Sequence, residues 1–171
     1  MNEAAIIRLA GGGSNAYLLR ADAGGFVLVD AGSPGWGAWF LRRGLARLGI
    51  SPAQLRLIVV THVHFDHVGG LAAIKAASGA PVMVHAAEAD LLARGRVVIP
   101  SGVNGYGRAI HDLGVAAARL GLLRFDPVVP DVIVEGDMPV DKYGLCAQVI
   151  HTPGHTVLYP FRLKFRPASK G

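Results

Sequence analysis

Three histidines and one carboxylate fall within six residues of the stretch Thr61-His62-Val63-His64-Phe65-Asp66-His67-Val68-Gly69-Gly70. The apolar run Leu57-Ile58-Val59-Val60 leads into it, and Gly69-Gly70-Leu71-Ala72-Ala73-Ile74 leads out. The first run reads as a short buried strand and the second as the opening of a helix. The cluster therefore falls on a loop at the C-terminal end of a strand, where α/β proteins place ligand sites. Side chains alternate along an extended segment, so His62 and His64 project to the same side and can chelate one ion. Asp66 and His67 follow once the chain has begun to turn, and can face a second ion beside the first. Imidazole with carboxylate suits zinc, and also iron or manganese. The plainer reading makes Asp66 a helix N-cap beside histidines on a solvated loop. Asp is a favoured N-cap, so the two roles are compatible.

The elements that must hold this loop can be traced through the chain. Residues 5–9, 15–20 and 26–29 read as strands, the first ended by Gly11-Gly12-Gly13. Those glycines read as a turn, since no lysine or serine stands at the spacing of a phosphate-binding loop. Asp30 closes the third strand beside Gly32, Pro34 and Gly35. Residues 36–48 predict a helix, with Leu41, Leu45 and Leu48 on one face and Gly49 as its stop. After the strand at 57–60 come a helix at 68–77, a strand at 81–85 and a helix at 88–94. His85, at a strand end, reads first as a structural or rim histidine. Residues 101–107 are glycine-rich and predict a loop, and 108–120 can form a helix. Residues 128–134 and 145–150 read as strands around a turn at 135–137. Cys146 reads as a small buried hydrophobe. Helices and strands interspersed in this way predict a single domain of the α/β (α+β) class.

A second histidine pair, His151 and His155, stands four residues apart in His151-Thr152-Pro153-Gly154-His155-Thr156. That spacing would align them on a helix, but Pro153-Gly154 opposes one, so the two rings diverge.

The run Thr61–Gly70 matches the T-H-x-H-x-D-H-x-G-G signature, and by it the chain resembles the metallo-β-lactamase fold superfamily of hydrolases. Residues 14–19 resemble the early strand of that family, 26–32 its strand ending in Asp-x-Gly, and 152–156 its T-P-G-H-T loop. In flavour the chain is closest to the glyoxalase II-like members. The resemblance covers about residues 5–156. It implies the αβ/βα sandwich, mainly its N-terminal half, and a site of one or two zinc ions. His62, His64 and His155 would hold the first ion, and Asp66 with His67 the second. Asp66 would also orient the attacking water, and Asp30 would support the metal loop from behind the ligands. The reaction implied is attack of hydroxide on a small thioester, lactone or lactam. The region around Tyr106, Arg108 and His111 corresponds to an insertion that shapes the substrate pocket, although ordinary surface positions are the first reading of those three.

Beyond Thr156 the sequence departs from the family. No acid or histidine follows His155, so the bridging acid and the last histidine of the second ion are missing. Later-acid iron oxygenation, known from related folds, is disfavoured on the same ground. The resemblance then predicts residues 1–156 as an incomplete metallo-β-lactamase-like domain and 157–171 as a divergent basic tail. One face of the central sheet would be exposed where the second half normally packs. The alternative to a working hydrolase is a truncated metal-binding fragment that needs a partner or the missing half.

The 171 residues carry a net charge of +5, and four of those charges are Arg162, Lys164, Arg166 and Lys170. The remaining body is nearly balanced and offers no electrostatic footprint for nucleic acid. No apolar stretch is long enough to cross a bilayer, and the first residues do not resemble a signal peptide. A single cysteine excludes an internal disulfide and fits a reducing compartment, so a cytoplasmic location is expected. Hydroxide attack of this kind needs no serine nucleophile, and no Gly-x-Ser-x-Gly elbow is present. The expected partner is a small acyl substrate, with homo-oligomerisation left open.

Overall fold

A computed structural model describes residues 6–22, 24–97, 99, 104–121, 123–152 and 161–166. Strands β1 (Ile6–Ala10), β2 (Asn15–Arg20) and β3 (Phe26–Val29) form an antiparallel run. From β3 onward the sheet is parallel, through β4 (Leu55–Val59), β5 (Val82–His85) and β6 (Val132–Val134), in the spatial order β1-β2-β3-β4-β5-β6. Parallel neighbours require crossover connections, and helices supply them. Helix α1 (Trp36–Trp39), a π-helical turn (Phe40–Gly44) and α2 (Leu45–Arg47) join β3 to β4. Helices α3 (Phe65–Val68) and α4 (Leu71–Ser78) join β4 to β5. Helices α5 (Ala86–Arg94) and α6 (Gly105–Arg119) lie between β5 and β6.

Because β3, β4 and β5 run the same way, their C-terminal ends lie on one edge of the sheet. Asp30, the loop after Val60, and His85 all emerge there, which is how residues distant in the chain come close together.

The helix expected at 36–48 is broken by the π turn, so its axis is not one continuous α-helix. The single helix expected at 68–77 is two, with Gly69-Gly70 between them. A Cβ on Gly70 would lie 2.5 Å from the Ala31 carbonyl oxygen, and one on Gly69 would collide with the Pro34 nitrogen. Only glycine lets the loop after β4 press against the loop after β3.

The sheet is covered on both faces. On one face Leu28, Ile58, Val82 and Val84 pack with Trp36, Phe40, Leu45, Leu71, Ile74 and Leu92 of the helices. On the other, Val27, Val29, Leu57, Val59 and Met83 pack against Val140, Leu145, Ala147 and Val149. Those residues belong to or border a second, antiparallel sheet of β7 (Met138–Pro139), β8 (Ala147–His151) and β9 (Phe161–Phe165), in that order. The expectation of an exposed sheet face is therefore corrected: Leu57 is fully buried and Val59 is 1% exposed. The reason is that the remainder after β6 turns back over the sheet instead of running away from it. Residues 161–165, within the segment expected as a basic tail, pair with β8, and Leu163 packs on this second core. Burying Leu57 and Val59 contributes about 1.5–3 kcal/mol each relative to exposure. Cys146, expected to be buried, is partly exposed because it sits just outside β8.

No helix among the described residues is long and apolar enough to cross a membrane.

Candidate metal centre

The loop after β4 leaves the sheet in extended form and enters α3 at Phe65. His64 is the residue before that helix, with φ −106° and ψ 149°. His62 and His64 flank the buried Val63, and their rings meet edge to face with centroids 4.5 Å apart. Alternation along extended backbone has put both rings on one side, as their spacing predicts. The first turn of α3 then brings His67 back, so that its ring centroid is 4.0 Å from that of His62. Asp66 lies in the same turn and makes no cap bond; its side chain is not the helix N-cap. The Ser14 hydroxyl donates to the Asp66 carbonyl, which ties α3 to the glycine turn between β1 and β2.

Asp30 organises the other side of the loop. It is 3% exposed and has φ +60°, a left-handed conformation that aspartate tolerates better than most side chains. Its backbone N–H donates to the Val59 carbonyl at 2.9 Å, and the next amide, of Ala31, donates to the His67 carbonyl at 2.6 Å. Its carboxylate accepts the Thr61 amide at 2.8 Å. The Thr61 hydroxyl lies 2.9 and 2.7 Å from the two carboxylate oxygens. His67 Nδ1 lies 2.8 Å from Asp30 Oδ2.

These contacts dictate tautomers. A carboxylate only accepts, so His67 carries a proton on Nδ1 and turns Nε2 to the opposite side of the ring. The Thr61 hydroxyl has one proton, and the carboxylate takes it. At its 3.0 Å contact with His62 Nδ1 the hydroxyl must then accept, so His62 is also protonated on Nδ1, with Nε2 as the basic nitrogen. Burial lowers the pKa of His67, but the hydrogen bond and charge of Asp30, with the charges of Asp66 and Glu88, outweigh it. The net result is a pKa held above 6.5.

Part of the donor set is spaced for a metal. His67 Nε2 and Asp66 Oδ2 are 3.8 Å apart, a separation that two ligands at about 2.0–2.2 Å from one zinc ion can span. The carboxylate behind His67 follows the usual arrangement of a metal-ligating histidine, whose second nitrogen is fixed by a hydrogen bond. Among the described residues no group of three or more His, Cys, Asp or Glu could hold an ion. Catalytic zinc sites use three protein ligands, so each pair on this loop calls for a further donor. His155, expected to complete the first set, lies outside the described residues, as does the rest of 153–160.

His85, at a strand end, is 7% exposed and its Nδ1 accepts the Ala87 amide at 3.1 Å, capping α5. On α6, Tyr106 and Arg108 are exposed and His111 is half-buried. The residue that sequence reasoning missed is Glu88. It is fully buried, and its Oε2 accepts the Val63 amide between the two histidines. The signal was an acid in the first turn of a helix, which reads as an ordinary helix-dipole partner.

A family model described as the Metallo-beta-lactamase superfamily matches residues 9–159. Among curated proteins, the "Probable metallo-hydrolase YflN" of Bacillus subtilis is 26% identical over 151 residues, covering 85% of this chain and 56% of that protein. A "Hydroxyacylglutathione hydrolase" of Albidiferax ferrireducens is 31% identical over 133 residues, covering 78% and 35%. Among solved structures, a motif mutant of a metallo-beta-lactamase from Cronobacter sakazakii matches with TM-score 0.64 and 28% identity, over 94% of this chain and 56% of that one. MEM-A1, a subclass B3 metallo-beta-lactamase from a soil metagenome library, matches with TM-score 0.69 and 23% identity, over 97% and 55%; that likeness shows the fold alone. The chain thus spans about half the length of several relatives it matches.

Proposed function

The chain belongs to the metallo-beta-lactamase superfamily, and from that premise we propose that it is a metal-dependent hydrolase of a small acyl substrate, with zinc as the metal. The observation that supports this reading best is the contact of Asp30 with His67, which turns Nε2 of the ring toward Asp66. Asp66 and His67 would hold one ion. His62 and His64, with His155, would hold another.

When bound, zinc supplies the Lewis acidity that makes water a nucleophile near pH 7 and polarises an acyl carbonyl. The residues of the chain do the positioning. Asp66 would accept a hydrogen bond from the O–H of the attacking water and so orient it, while Asp30 and Thr61 keep His67 and His62 in the tautomers that present Nε2. A thioester is the substrate we favour over a lactone or lactam. The likeness to a hydroxyacylglutathione hydrolase supports that choice, since its named substrate is a thioester. Cytoplasmic action on a small molecule, without nucleic acid, is part of the same proposal.

A second reading is the one the sequence left open, for a chain that spans 56% of the length of the metallo-hydrolase it matches. On that reading the chain binds metal and is impaired in hydrolysis until a partner or further segment completes the site.

Metal analysis of the purified chain, with thioester and lactone hydrolysis measured before and after chelation, separates the readings. Stoichiometric zinc with chelator-sensitive thioester cleavage supports the hydrolase. Bound zinc with no cleavage supports the impaired fragment, and a chain that takes up no metal defeats both.

A further inference from the structure

We propose that Glu88 is a positioning residue for the metal loop: its carboxylate anchors the Val63 amide and so fixes the backbone between His62 and His64. The inference rests on the metal-centre reading above and names a part of that centre outside the histidine signature.

Glu88 is the third residue of α5, three positions after the cap His85. A glutamate in that place ordinarily folds back onto the amide of the capping residue. Here Oε2 reaches instead across to the Val63 amide, 25 residues earlier in the chain. The side chain is fully buried. Burying a carboxylate is costly unless its oxygens are bonded, so a glutamate in this place implies that its contact matters to the loop. The N-terminal end of α5 offsets part of that cost by favouring negative charge in the first helical turn.

The location of the anchored amide gives the contact its consequence. Val63 is the one residue between the two histidines, and its side chain is buried on the core side. Fixing its N–H sets the orientation of the peptide that carries both rings. With Val63 held, the backbone between the rings fixes the 4.5 Å approach of His62 and His64.

The test uses the intact chain and three versions of it: wild type, E88Q and E88M. Glutamine keeps an acceptor of the same shape, whereas methionine fills the space without one. In the metal-free state, exchange of the Val63 amide is followed by NMR. In the loaded state, Co2+ affinity and its visible spectrum are read, because the spectrum reports ligand geometry apart from any turnover. The expected result is a protected Val63 amide in wild type and E88Q, with cobalt affinity within about threefold of each other. E88M should lose that protection, bind cobalt about 10–100-fold more weakly and shift the spectrum, at unchanged far-UV circular dichroism. Wild-type affinity and spectrum in E88M would overturn the proposal. If E88M does not fold, the amide in wild type and E88Q decides: protection in both supports the anchor, and rapid exchange in wild type overturns it. Failure of wild type to bind cobalt would remove the metal reading alone, and the amide measurement would still judge Glu88.

Discussion

His67 Nδ1 lies 2.8 Å from Asp30 Oδ2, a contact between residues 37 apart in the chain. It joins the end of β3 to the first turn of α3, and through the Thr61 bonds it fixes both ends of the histidine loop to one buried carboxylate. Removing that carboxylate with Asp30→Ala leaves the Thr61 amide, the Thr61 hydroxyl and His67 Nδ1 without their acceptor. The expected loss is about 2–4 kcal/mol in urea unfolding and about 10–100-fold in zinc affinity. Asp30→Asn, which can still accept, should fall between. A D30A chain with unchanged zinc affinity would show that the contact does not govern the metal.

Gly70 and Gly105 should respond oppositely to alanine. At Gly70 the new methyl meets the Ala31 carbonyl at 2.5 Å and the Gly37 nitrogen at 2.6 Å, both backbone. G70A should therefore cost about 1–3 kcal/mol or more. Gly105 opens α6 with nothing within 4 Å of a Cβ, so G105A should gain about 0.5–1 kcal/mol. Thermal unfolding of the two variants checks both signs.

The second sheet is tested by Leu57, which is fully buried in the core that Val149 and Leu145 share. Leu57→Ala should destabilise by about 2–5 kcal/mol. An exposed sheet face would instead make the change nearly neutral, so chemical unfolding of this one variant distinguishes the two arrangements.

Acid sensitivity should arise in part at Asp131. Burial raises its pKa, but the hydrogen bond and charge of Lys75 and the Val82 amide outweigh it and hold it below 3.8. Its Oδ2 lies 2.7 Å from Lys75 Nζ and accepts the Val82 amide at 2.8 Å. A folded-state pKa below the unfolded value gives stability that is present above about pH 3.8 and lost as pH falls through the lowered pKa. Because the carboxylate is 43% exposed, solvent screening limits the effect to about 0.2–1 kcal/mol. The difference in stability between wild type and D131N should shrink on going from pH 6 to pH 2.5, and a difference that does not vary with pH would refute the assignment.

Metal should stabilise the fold by linkage. Zinc at about 100 times its dissociation constant should add about 2.7 kcal/mol, and a chelator should remove it. Replacing His67 with Ala should abolish part of that increment, read as the shift in melting temperature with and without zinc. An identical melting curve in both states would mean that zinc does not bind the native chain.

Much of the site could be read directly from the sequence because its chemistry is local. His62, His64, Asp66 and His67 sit within six residues, and alternation followed by one helical turn is enough to bring them to one side. Strands 15–20 and 26–29 were equally legible, since their apolar runs are bounded by glycine turns. What local pattern could not supply was everything set by contacts across the chain. The π turn at Phe40–Gly44 has no signal in a leucine periodicity, and Met138–Pro139 is too short to show one. Phe161, Leu163 and Phe165 alternate with Arg162 and Lys164, yet whether such a segment is a strand or a solvated tail depends on finding a partner, and β8 is that partner. The sequence by itself determined which side chains could ligate and in what local order. Only the tertiary structure decided that Asp30, expected behind the loop, does so through His67 and Thr61, and that Glu88 holds Val63. The bonds to His67 and Val63 link residues 37 and 25 positions apart, and parallel strands ending on one sheet edge, not any periodicity, bring them within reach.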